Sequence, residues 1–161
     1  MTKFGCLMAT ACVAMIALAG PQALAQGKNN QVASTTKAEQ GHRVVLQVNT
    51  NDAAMMNLAL NNAANVDQYY SSLGEPVEIE IITFGPGLHM LRADTSPVKD
   101  RVKSMAESRP SVSFKACGNT QENMAKAENK EIPILSQATV VKSGVVRIIE
   151  LQEQGWSYVR P

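Results

Sequence analysis

Two apolar runs flank one long helical stretch, and that order leaves few folds open. Arg43-Val-Val-Leu-Gln-Val-Asn49 is mostly apolar and of strand length. Val77-Glu-Ile-Glu-Ile-Ile-Thr-Phe84 alternates at first and then turns continuously apolar, as a strand covered on both faces does. Between them, Met55, Leu58, Ala59, Ala63, Val66, Tyr70 and Leu73 recur mostly at steps of three and four, the period of a helix over Ala53–Leu73. Gly74-Glu-Pro76 stops it. Strand, helix, strand over this length implies parallel strands joined by a crossover. Asn57, Asn61, Asn62 and Asn65 also fall in the helix, where solvent exposure is the simplest account.

The alternation continues. Ser96-Pro97 reads as an N-cap and first helical residue, opening a helix to about Ser108. Val112, Phe114 and Ala116 alternate with Ser113 and Lys115 to give a third strand ending at Cys117. Gly118 turns the chain, and Asn119 with Glu122 has the spacing of a capping box for a helix to about Asn129. Ala138–Val141 is a short strand. Ser143-Gly144 starts a last helix ending at Gly155, for which a strand is a rival because of its β-branched residues. Trp156–Pro161 closes as a strand. The fold predicted is α/β: a three-layer α/β/α sandwich with a mainly parallel sheet of about five strands, flavodoxin-like in arrangement.

Ligands of such sheets approach the carboxyl ends of the strands. The loops expected there bring together Asn49, Asn51, Gly85, Gly87, Cys117, Gly118, Asn119, Thr120 and Lys142 as candidate pocket residues. Gly85 and Gly87 satisfy two positions of GxGxxG, but the third is Met90 and Pro86 removes a backbone donor, which argues against nucleotide binding. His42 and His89 lie far apart with no Cys or carboxylate at ligand spacing, so no metal site is expected, and nothing calls for a cofactor.

Residues 1–25 carry the marks of a secretory signal peptide: Lys3, an apolar run from Cys6 to Ala19, and Ala23-Leu-Ala25 before Gln26. The run is short of the ~17–25 residues that span a bilayer, so no stable membrane insertion is expected after cleavage. Export would be to the periplasm or medium. Cys6 and Cys12 would leave with the leader, and Cys117 would be the lone thiol in an oxidising compartment. Loss of Lys3 takes the formal charge from +1 to 0, and aromatics are 4%, so nucleic acid is a poor partner. Residues 26–41 are polar and read as a flexible lead-in to a domain over 42–161.

Phe114-Lys-Ala-Cys-Gly-Asn-Thr120, Phe84-Gly-Pro-Gly-Leu88, Gly144-Val-Val-Arg-Ile-Ile-Glu-Leu-Gln152 and Gly155-Trp-Ser-Tyr-Val-Arg-Pro161 together resemble exported members of the DsrE/DsrF-like family. The resemblance covers roughly Arg43 to Pro161. It implies a compact α/β/α domain, a homo-oligomer (trimer or hexamer), and a reactive cysteine after a central strand that carries sulfur as a persulfide, here Cys117. The family's cytoplasmic members work in a relay that an exported chain cannot join, so a donor or acceptor would be another protein or a small thiol. From the residues alone, three readings of Cys117 stay open: a sulfur-carrying or redox thiol, an inert buried residue in an oligomeric binding or scaffold module, and an incidental neighbour of a small-molecule pocket.

Overall fold

The computed structural model describes residues 41–161. The expected signal peptide and the lead-in up to residue 40 lie outside the described residues. Strand β1 is His42–Val48, α1 is Ala53–Leu73 and β2 is Val77–Thr83. A 3-10 helix, Gly85–Leu91, precedes α2, Lys99–Ser108. Then come β3, Val112–Cys117, α3, Gly118–Glu128, β4, Ala138–Val141, α4, Gly144–Glu153, and β5, Ser157–Val159.

All five strands are parallel, in the order β4-β3-β2-β1-β5. This is the expected α/β sandwich. The connections from β1 to β4 step across the sheet in one direction, and right-handed crossovers put their helices on one face. The β4-to-β5 connection runs back across the sheet and puts α4 on the other. The core divides accordingly. The larger cluster holds Val44, Leu46 and Val48 of β1, Ile79 and Ile81 of β2, and Phe114 and Ala116 of β3. The smaller holds Val45, Ile82, Ile148, Leu151 and Trp156, with Phe84 against it. Alternation along β3 therefore fixes where Cys117 points. Ala116 belongs to the large core, so Lys115 and Cys117 face the side of α4.

Several local expectations need correction. On α1 the buried residues are Met56, Ala59, Leu60 and Ala63, while Leu58 and Leu73 are exposed. Met55-Met56 and Leu58-Ala-Leu60 offer two overlapping stripes, and the one completed by Ala59 and Ala63 lets the helix sit close to the sheet. Asp52 caps this helix, accepting from Ala54 N at 2.8 Å. Two of its asparagines are used: Asn57 and Asn61 both accept from Arg101 of α2, the latter at 2.8 Å. Ser96-Pro97 does not open α2, which begins at Lys99; the Ser96 hydroxyl donates to Met90 O at 2.6 Å and accepts weakly from Val98 N at 3.3 Å. The capping box from Asn119 is absent too. Helix α3 starts directly at Gly118, its N-cap is Cys117, and Asn119 lies inside the first turn. The element after β4 is a helix and not the rival strand, capped by the Ser143 side chain on Val146 N.

Candidate functional site

Helix α3 begins with no spacer after β3, and Ser143 starts α4 just beyond β4. The two helix N-termini therefore converge on the carboxyl edge of neighbouring strands β3 and β4. Cys117 sits between them, 4% exposed and unpaired in any disulfide. Burial works to raise its pKa, because the thiolate is the form that loses solvation. Hydrogen bonds outweigh that: the Thr120 hydroxyl first, then the backbone N–H groups of Gly144, Thr120 and Asn119. The net result is a thiol held below its ordinary value. These groups belong to the N-termini of both helices, whose dipoles favour negative charge there.

Thr120 acts in two directions. Its Oγ1 accepts the Gly85 N–H at 3.0 Å, which leaves its own proton for Cys117. Gly85, with φ +52, takes a left-handed conformation that suits glycine and so turns its N–H toward α3. The Asn119 N–H also donates to Lys142 O at 3.1 Å, tying the start of α3 to the end of β4.

The candidate residues fall into distinct settings. Asn51, Gly85 and Thr120 line a shallow groove with His89, Asn123 and Met124, of about 440 Å³. Asn119 and Lys142 line a second groove, of about 620 Å³, on the α4 side, with Lys115, Ser143, Arg147 and Glu150. Cys117 lies between the two and lines neither. Asn49 and Gly87 are joined by close packing: a Cβ on Gly87 would stand 2.2 Å from Val48 O and 2.8 Å from Asn49 Cα. Gly118 is buried, and a Cβ there would meet Val141 O at 3.2 Å and Val140 Cγ1 at 3.3 Å. Its missing side chain admits strand β4 rather than an outside group. Lys142 reaches α3 through its carbonyl, and its side chain is on the groove.

The candidate residues leave out Gly144, whose N–H favours the Cys117 thiolate, and Lys115, which shares the face of Cys117. Both had signals: Ser143-Gly144 reads as a helix start, and Lys115 has the parity of Cys117 on its strand. Sequence reasoning also missed the part-buried ion pairs of two arginines. Arg147 of α4 makes a two-bond pair with Glu80 of β2, at 2.6 and 3.0 Å. Arg92, 1% exposed, binds Asp94 at 2.8 and 2.9 Å and Glu128 at 2.9 Å. Hydrogen bonding to Arg92 holds both carboxylates low, that of Glu128 at about 2. This fastens α3 to the loop after the 3-10 helix and so steadies the turn on which Cys117 depends. Among the described residues, no group of three or more His, Cys, Asp or Glu is placed to hold a metal, and no helix is long and apolar enough to cross a membrane.

No protein-family model matches the chain, and no curated protein matches it. Among solved structures, the chain is similar to MTH1491 from Methanobacterium thermoautotrophicum, described as a protein of unknown function. The two are 30% identical with a TM-score of 0.63, over 74% of this chain and 99% of the archaeal one. The chain belongs to the same family as that archaeal protein.

Proposed function

We propose that Cys117 is the functional group of an exported DsrE-type domain and that it carries sulfur as a persulfide or exchanges as a redox thiol. The observation that carries this reading is the place of Cys117 in the fold: it is the buried N-cap residue of α3 at the edge where α4 also begins, so the N–H donors of two helix N-termini lie near one sulfur. An inert core cysteine needs no such donors. A thiolate does, and so does the terminal sulfur of a persulfide. In the transfer, the Cys117 thiolate attacks the terminal sulfur of a donor R–S–SH. The donor S–S bond breaks, R–S⁻ leaves with the electron pair, and the new S–S bond gives Cys117–S–SH. No oxidant or reductant is consumed. Cys117 is the only cysteine among the described residues, so exchange involves a second molecule or another subunit.

Incubation with a small persulfide is expected to add the mass of one sulfur atom to the protein and none to Cys117→Ser. Intact mass of protein recovered from its native host also reads the N-terminus, which the leader at residues 1–25 puts at or near Gln26. A native thiol that never gains sulfur sinks the carrier reading, and a product keeping Met1 sinks export.

The burial of Cys117 favours a second reading, an oligomeric scaffold in which the cysteine is inert. Oligomerisation belongs to both. Val145 and Ile149 lie about half exposed, one turn apart on α4, an apolar strip that subunit burial would cover. A trimer or its multiple is expected by light scattering; a monomer at micromolar concentration contradicts it.

A further inference from the structure

The groove beside Cys117 has a charge that the thiol's own hydrogen bonds do not explain. It lies over β3 and β4 against α4, and its volume of about 620 Å³ falls in the ~300–1,000 Å³ range of small-molecule sites. Three cations line it: Lys115, Lys142 and Arg147. Arg147 is committed to Glu80 by two bonds. Among the described residues, neither Lys115 nor Lys142 makes an ion pair. Glu150 lines the same groove and offsets one of them at most, so the groove keeps a net positive charge. Lys115 lies two residues before Cys117 on the same face of β3, and Cys117 is in register with Val141 of β4, the residue before Lys142 and Ser143.

We propose that this groove is the docking site for the exchange partner of Cys117, and that the partner is a small anionic thiol or persulfide. Its carboxylate is held by Lys115 and Lys142 while its sulfur reaches past Asn119 toward Cys117, which lies behind the groove lining. This rests on the reading of Cys117 as a working thiol and names its substrate class. A small partner fits the burial of Cys117, because a recessed sulfur meets a slender molecule more readily than a broad protein surface. The apolar walls, Val141 and Val146, suit the carbon skeleton of such a molecule.

The test uses two alkylating probes of one size and opposite character, anionic iodoacetate and neutral iodoacetamide, on the full chain. Each rate at Cys117 is divided by the rate of a free model thiol. The iodoacetate-to-iodoacetamide ratio is expected to exceed one by about fivefold at low salt and to fall toward one with salt. In Lys115→Gln/Lys142→Gln the ratio is expected to drop to about one. A ratio that the double variant does not change overturns the docking site and leaves the working thiol intact, since Cys117 still reacts. Silence toward both reagents until denaturant is added overturns both. Circular dichroism of the double variant shows that a changed ratio comes from a folded protein.

Discussion

Gly87→Ala is expected to destabilise the domain by about 3 kcal/mol or more. The new Cβ would lie 2.2 Å from Val48 O, 2.6 Å from Val48 C and 2.8 Å from Asn49 Cα, all backbone atoms. A flexible side chain could swing aside, but the end of β1 cannot. Val48 pairs with Thr83 in the sheet, and its carbonyl accepts Phe84 N–H at 3.2 Å. Either the 3-10 helix lifts away or the carboxyl edge of β1 bends, and both disturb the buried Leu88, Met90 and Leu91. Against a total stability of ~5–15 kcal/mol for an ordinary domain, that is a large fraction. Gly85→Ala provides the internal contrast. Its Cβ would meet only Asn49 O, at 3.9 Å, so its cost is the left-handed backbone alone, about 1 kcal/mol. Urea unfolding of the two variants should separate them clearly. A Gly87→Ala protein within experimental error of the native one would contradict the packing described for that turn.

Thr120→Val is the second substitution with a large expected effect, and it acts on chemistry. Valine keeps the shape of threonine and removes the one side-chain donor to Cys117. It also removes the acceptor of the Gly85 N–H. A hydrogen bond to a charged group contributes ~1.5–3 kcal/mol, so alkylation of Cys117 at neutral pH should slow by about tenfold or more. The sign follows from ionisation. The hydroxyl favours the thiolate, its loss raises the thiol pKa, and less thiolate is present at neutral pH. In strong base both proteins are ionised and the rates should converge. Thr120→Ser keeps the donor and should keep most of the rate. Equal rates for Thr120→Val and the native protein at neutral pH would mean that the hydroxyl does nothing for the sulfur.

The parts of this molecule that were legible in its sequence are those governed by local period. The alternation in Val112–Cys117 predicted both the strand and its end, and the apolar runs at Arg43–Asn49 and Val77–Phe84 predicted parallel neighbours. Boundaries failed where neighbouring residues compete for one role. Ser96-Pro97 has the chemistry of a helix start, but the Ser96 hydroxyl donates to Met90 O, and α2 waits until Lys99. Asn119 has the chemistry of a cap, but β3 runs into α3 without a spacer and leaves no place for one. The candidate site was half legible for the same reason. Cys117, Thr120 and Gly85 were visible as turn residues at one sheet edge. The Gly144 donor and the Lys115 wall depend on β4 lying next to β3 and on α4 crossing to the opposite face, which are long-range facts of topology. Arg92 gave no signal at all, because a lone arginine in a loop reads as solvated until two carboxylates are folded around it.

The thiolate character of Cys117 is the claim on which the functional account turns, and its pH profile of alkylation measures it directly. Native protein and Cys117→Ser are treated with a small neutral reagent across the pH range, and the rate of the cysteine is followed without denaturant. A single ionisation is expected, with a midpoint well below the ~8.5 of a free cysteine, and no reaction in the serine variant. A midpoint at or above that value, or a thiol silent until denaturant is added, would contradict it.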